Sequence, residues 1–191
     1  MERQAVRRIH ITGGPGSGKT TLARQVADCL QAPCYDLDAI GYYGGAGADR
    51  PLAVRLADIQ HIAEQPAWVT EGVFLGWTEA LFESADRIVW LDLPWRLAGW
   101  RIFTRHVRAE LRGNNKHSGW VKLYRFMQWC QQYYTSTDVM QHVTPERDIS
   151  ENRVTLAAYL ALYQAKVVHL KTPVEVERFY QSLNRWGVNK A

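Results

Sequence analysis

A chain of 191 residues with 47% hydrophobic side chains carries enough apolar material for one domain around a single core. No apolar run approaches the roughly 18 residues of a helical membrane span. The opening Met1-Glu2-Arg3-Gln4 lacks the apolar stretch of a secretion signal. These features argue against a membrane partner and lead to the expectation of a cytoplasmic protein. The formal net charge is +4, but residues 95–125 hold eight Lys or Arg against Glu110 alone, a local +7, which leaves −3 for the remainder. That segment either faces an anion (a triphosphate, a phosphorylated substrate or nucleic acid) or is a solvated face.

In chain order, Arg8-Ile9-His10-Ile11-Thr12 reads as a first strand ending in glycines. From Gly18 the apolar positions Leu22, Ala23, Val26, Ala27 and Leu30 follow a helical period, and Pro33 lies just past its end. Residues 34–38 read as a second strand ending Asp36-Leu37-Asp38, followed by a glycine-rich loop over 41–47. A helix over about 51–65 starts at Pro51. Trp68-Val69-Thr70 forms a third strand running into Glu71-Gly72, and Arg87 to Leu93 a fourth, stopped by Pro94. A long helix over 95–112 leads to a polar, turn-rich stretch at 112–119. Helices over about 120–134 and 152–164, a fifth strand at 165–170 and a last helix from Pro173 complete the chain. Strands that are nearly continuous apolar runs, alternating with helices, predict an α/β fold with a parallel sheet covered on both faces. The three cysteines, Cys29, Cys34 and Cys130, form no Cys-x-x-Cys pair and read as small core residues of a reduced protein.

The most specific motif is Gly13-Gly14-Pro15-Gly16-Ser17-Gly18-Lys19-Thr20, a complete Gly-x-x-x-x-Gly-Lys-Thr between a strand and a helix. Glycines let successive N–H groups point inward at phosphate oxygens, and the helix N-terminus adds its dipole. Lys19 brings a full charge toward the β- and γ-phosphates and Thr20 a hydroxyl for magnesium, with Thr21 extending the contact. The loop therefore predicts ATP with Mg2+ as cofactors.

Ligands of open parallel sheets sit at the carboxyl ends of strands. Three sites there carry carboxylates: Asp36 with Asp38, Glu71 and Asp92. A magnesium ion takes oxygen ligands, often through water, and an acceptor hydroxyl takes a carboxylate that orients it or accepts its proton. In a strand, Asp36 and Asp38 point to the same side. Asp92, before Leu93-Pro94, equally suits a helix cap.

Arg101 and Arg105 are four apart and share a helix face, which Arg108 and Arg112 extend. Glycines at 113 and 119 bracket a candidate lid, and arginines brought over the γ-phosphate stabilise the charge of the moving group. A solvated basic face is the alternative. Trp95, Trp100, Phe103, Trp120, Tyr124, Phe126, Trp129, Tyr133 and Tyr134 interleave with the bases, as in proteins that stack single-stranded nucleic acid. The helical spacing of Phe126, Trp129 and Tyr133 instead favours a packed face, and no DNA-reading motif is present.

Taken together, the stretch from Ile9 through the glycine loop to Ala23, with Leu37-Asp38-Ala39, Trp68-Val69-Thr70-Glu71-Gly72, Ile88 to Pro94 and the Arg101/Arg105 pair, resembles the adenylate-kinase-like branch of P-loop NTPases. Within it, the chain is most similar to the FlaR-like "DNA topology modulation" proteins, over most of its length. The resemblance implies one adenylate-kinase-like domain over 1–191: a three-layer sandwich with a five-stranded parallel sheet in order 2-3-1-4-5 and a helical lid inserted at about 112–150. It implies that Glu71 acts on magnesium through water, and that Asp36 and Asp38 look like the paired aspartates of shikimate-kinase-type enzymes, serving magnesium and the acceptor hydroxyl. It further implies that Arg101 and Arg105 approach the nucleotide and that Lys171 and Thr172 lie where relatives hold adenine. After Glu71-Gly72 the chain reads Val73-Phe74-Leu75, which departs from the Phe-Pro-Arg that grips the acceptor in nucleotide kinases. The expected activity is transfer of the ATP γ-phosphate to a small molecule or nucleotide. A regulatory or nucleic-acid-associated NTPase using the basic 95–125 segment is the alternative.

Overall fold

The computed structural model describes residues 6–113, 119–139 and 152–183. Its strands are β1 (Arg8–Gly13), β2 (Cys34–Asp36), β3 (Trp68–Glu71), β4 (Arg87–Leu91) and β5 (Val167–Leu170). Its α-helices are α1 (Lys19–Leu30), α2 (Leu37–Gly41), α3 (Leu52–Ala63), α4 (Glu79–Ser84), α5 (Trp95–Leu111), α6 (Trp120–Thr135), α7 (Arg153–Leu160) and α8 (Pro173–Ser182). The strands form one sheet in the order β2-β3-β1-β4-β5, every pairing parallel. This is the expected order.

The period-2 alternation of the strands divides the core between two faces. Ile9, Ile11, Val69, Val89 and Leu91 pack with α1 and α8 residues such as Leu22, Val26 and Phe179. Trp68, Ile88 and Trp90 pack on the other face with residues of α2, α3, α4 and α7, including Leu37, Ile59, Phe82 and Leu156. α5 and α6 pair through a smaller cluster of Ile102, Leu123 and Cys130. They run antiparallel, since Phe103 and His106 face Trp120 at one end while Trp95 meets Tyr134 at the other. Among the described residues no helix is long and apolar enough to cross a membrane. Of the expected lid at 112–150, residues 114–118 and 140–150 lie outside the described residues, and α6 fills most of what lies between.

β1 also carries polar residues into the core. His10 is fully buried, hydrogen-bonded through Nδ1 to Thr70 Oγ1 at 2.9 Å, with its ring edge-on to Phe82 at 4.6 Å. Burial, and then the charge of Lys19, lowers its pKa to about 3. Below the ordinary histidine pKa of about 6.5 the unfolded chain therefore takes up a proton that the folded chain refuses. Stability is expected to fall with pH from about 6.5, by roughly 2 kcal/mol on reaching about pH 5. Thermal denaturation across this range should show that slope, and His10→Gln should flatten it. An equal slope in the variant would place its origin in other residues.

Three expectations are corrected. Cys130 is buried, but Cys34 is exposed and Cys29 only half-buried, because β2 is the edge strand of the sheet and Cys29 lies near the end of α1. Phe126 and Trp129 are not a packed face with Tyr133: they stay 42% and 47% exposed, while Leu123, Cys130 and Tyr133 face inward. Finally, the second strand stops at Asp36, which caps α2 by accepting a hydrogen bond from the Asp38 N–H at 2.9 Å. Asp36 and Asp38 are thus not strand neighbours on one side. Asp38 sits in the first turn of a helix.

Candidate active site

Four strand ends converge at one edge of the sheet. Asp36 is in register with Glu71, and Glu71 with Ile11, two residues before the glycine loop. The loop that leaves β1 is held close to its neighbours. Gly13 has φ 143°, and a Cβ there would strike the Leu91 carbonyl. Gly16 has φ 77°, and a Cβ there would sit 2.7 Å from the Ala98 carbonyl of α5 and 2.9 Å from Ile102 Cγ1. Only glycine satisfies both the conformation and the contact at these positions. Gly14, Pro15, Gly18 and Thr21 complete the loop and the first turn of α1. The Ser17 hydroxyl is buried with no hydrogen-bond partner among the described residues.

Lys19 opens α1, and its ammonium donates to the Gly14 carbonyl at 3.2 Å. Burial lowers its pKa, and Glu71, Asp38 and Asp36 act against that shift in this order. A desolvated ammonium beside a curled, glycine-bound backbone and an unsatisfied hydroxyl fits a polyanion, which would restore the ammonium's solvation and satisfy the hydroxyl. Thr20 donates from Oγ1 to Glu71 Oε1 at 2.7 Å. Glu71 is 5% exposed. Burial raises its pKa, opposed by the Thr20 hydrogen bond and by Lys19. No cluster of three His, Cys, Asp or Glu side chains able to cage a metal occurs among the described residues. The Thr20–Glu71 pair suits magnesium, which keeps most of its water and takes few protein ligands.

Arg101 reaches back from α5 and donates from Nη1 to the Ser17 carbonyl at 2.7 Å. Arg105, one turn on, makes no hydrogen bond to the loop among the described residues. It lines an open groove of 500 Å³ with Arg101, Arg108 and Arg112, and, on its other side, a cavity beside α6. With Pro94 as its N-cap, α5 is not capped by Asp92. Arg153 grips it with two hydrogen bonds of 2.6 and 2.8 Å, and His169 Nε2 lies 2.8 Å from its second oxygen. Although burial works the other way, these partners hold the Asp92 carboxyl below the usual range. The Trp90 ring stacks on His169 at 3.9 Å. Thr172 caps α8 in a reciprocal pair with Glu175, which also accepts the Lys171 and Thr172 N–H groups. The Thr172 hydroxyl and both these N–H groups therefore already have partners.

Tyr134 is a contact that sequence reasoning did not single out. Its hydroxyl donates to the Pro15 carbonyl at 2.7 Å across 119 residues. Beside it Tyr133 packs against Gly14, so the end of α6 forms one wall of the loop. No local pattern marks such a contact, which depends on the antiparallel return of α6.

No protein-family model matches the chain, and no curated protein matches it at a significant level. Among solved structures, a shikimate kinase from Bacteroides thetaiotaomicron aligns over 95% of this chain and 98% of its own, with TM-score 0.51 and 16% identity. A shikimate kinase from Acinetobacter baumannii, in complex with shikimate, aligns over 94% and 92% with TM-score 0.52 and 13% identity. These likenesses show the fold: a five-stranded, all-parallel P-loop sandwich with helices on both faces of the sheet.

Proposed function

We propose that this chain is an ATP- and magnesium-dependent phosphotransferase acting on a small-molecule or nucleotide acceptor. The observation that carries the reading is the Thr20–Glu71 hydrogen bond beside the half-buried Lys19 ammonium, at the mouth of a glycine loop. On this reading the loop N–H groups from Gly13 to Thr21 and the Lys19 ammonium hold phosphate oxygens. Thr20 and Glu71 hold magnesium, Glu71 through water, with Asp36 alongside. When bound, magnesium offsets phosphate charge. Asp38 orients the acceptor hydroxyl and takes its proton. Arg101 offsets charge that develops on the transferred group, and Arg105, one turn on, faces the acceptor. Lys171 and Thr172 border adenine through their carbonyl and side-chain edges. The kinase names of the two neighbours support the reaction class, and the distance in sequence leaves the acceptor to this chain's own residues.

The direct test is a screen of small alcohols, nucleosides and nucleoside monophosphates for ADP release that depends on the acceptor. Release equal with and without every acceptor would replace the kinase reading with a plain NTPase. Arg101→Ala is expected to lower turnover by on the order of a hundredfold with a much smaller loss of ATP affinity, as for a charge-stabilising arginine. Steady-state kinetics beside calorimetry separates the two. An equal loss in both would make Arg101 a brace for the Ser17 carbonyl.

A second reading, a nucleic-acid-associated NTPase, draws on the groove lined by Arg101, Arg105, Arg108 and Arg112. Nucleic-acid binding there would weaken steeply with salt.

A further inference from the structure

Between the α5–α6 hairpin and the loop that follows α2 lies a cavity of 570 Å³, bordered by Ala46, Ile102, Arg105, Lys122, Leu123 and Phe126. Its volume is that of a small-molecule site, roughly 300–1,000 Å³. It abuts the phosphate loop, since Ile102 lines it and also lies against Gly16. It borders the loop that leaves Asp38 as well, through Ala46.

The chemistry of its walls is selective. Ile102, Leu123, Ala46 and Phe126 make most of the surface apolar. Phe126 keeps 42% of its surface exposed, and the Trp129 ring stacks behind it at 5.9 Å, which gives the wall a supported aromatic face. Arg105 and Lys122 supply positive charge, and neither has a carboxylate partner among the described residues. The acid of this stretch, Glu110, is turned to His106 at 3.3 Å and to the Gly119 N–H at 3.1 Å. His106, turned to Glu110, is the third polar side chain of the wall, and among the described residues no carboxylate, amide or hydroxyl side chain lines it. A polyhydroxylated sugar or sugar acid would find Arg105, Lys122 and His106 for a few of its hydroxyl groups and apolar wall against the rest. A flat ring would gain stacking and apolar contact, and one anionic group would meet the two cations.

We infer that this cavity binds an aromatic anion: a planar ring carrying one carboxylate or phosphate and at least one hydroxyl. This rests on the kinase reading for its role as acceptor, though not for binding. The anion lies toward Lys122 and Arg105, the ring against Phe126 and Leu123, and the hydroxyl toward the Ile102 end. In the transfer, the acceptor oxygen forms a bond to the γ-phosphorus as the bond to the β–γ bridging oxygen breaks. ADP leaves, and the hydroxyl proton passes to Asp38.

Calorimetry on the full chain without ATP tests the site. One set of probes is hydroxybenzoates; the other is hydroxyphenyl phosphates; gluconate and shikimate serve as polyhydroxylated controls. At least one aromatic anion is expected to bind with unit stoichiometry and more tightly than either control. Phe126→Ala should weaken it by about tenfold and Lys122→Gln by about fivefold, with ATP affinity unchanged in both. Phe126→Leu, which keeps an apolar side chain, should recover little, because the ring is what the ligand meets. Which probe set binds identifies the source of the anion. The inference is overturned if no aromatic anion binds, if gluconate or shikimate binds as tightly, or if binding ignores both substitutions. Binding as expected, with no acceptor-dependent ADP on adding MgATP, would keep the site and remove the kinase reading. ADP release with a polyhydroxylated acceptor alone would keep the kinase reading and remove the site.

Discussion

Lys19→Ala is expected to lower ATP affinity by roughly a hundredfold and turnover by on the order of a thousandfold, with the fold intact. Among the described residues the ammonium has one hydrogen-bond partner, the uncharged Gly14 carbonyl at 3.2 Å, and burial disfavours its charged form. A triphosphate would replace that weak arrangement with several charge-assisted hydrogen bonds in a partly dehydrated site. The amine makes one hydrogen bond to the protein, so its removal should leave the denaturation temperature near that of the wild type. Calorimetry with ATP and a thermal melt check both halves. Unchanged ATP affinity would move the nucleotide site away from this loop.

Asp38→Asn is expected to abolish acceptor-dependent ADP formation, a loss on the order of a thousandfold, while leaving magnesium–ATP affinity nearly unchanged. The substitution keeps the size of the side chain and removes its charge and basicity. Asp38 lies in the first turn of α2, close enough to Lys19 to raise that amine's pKa, and directly before the loop that carries Ala46. Asp36→Asn is the informative control. Asp36 caps α2 through its side-chain oxygen, and asparagine caps as well as aspartate, so this variant should preserve helix and fold. Magnesium titrations on both variants separate the roles. A raised magnesium requirement in Asp38→Asn would assign that carboxylate to the metal. Full turnover in both variants, with a confirmed acceptor, would make the pair structural and take away much of the support for phosphoryl transfer.

The glycine loop was legible in the sequence because its parts are consecutive. Gly13, Gly16, Gly18, Lys19 and Thr20 need only the local backbone to line a phosphate cradle, and the strand before and helix after follow from short-range periodicity. The strands were legible for the same reason, since residues buried on both faces read as apolar runs. Sheet order came with the resemblance, and the parallel pairing agrees with it. Thr20, Glu71 and Arg101 were each named for the site, but which residues meet across the chain was not legible. Thr20 meets Glu71 across 51 residues, Arg101 meets Ser17 across 84, and Tyr134 meets Pro15 across 119. Arg101 and Arg105 share a helix face, yet among the described residues it is Arg101 that bonds to the loop, which meets α5 at Ala98 and Ile102. Asp92 lies at a strand end like Glu71, but Arg153 and His169, from later in the chain, neutralise it. Asp36 and Asp38 were expected in one strand, and the capping hydrogen bond of Asp36 ended it. Phe126 and Trp129 mark the same boundary. Periodicity places residues on a common face of a helix, but whether that face is buried depends on what the rest of the chain packs against it, and that is a property of the tertiary structure alone.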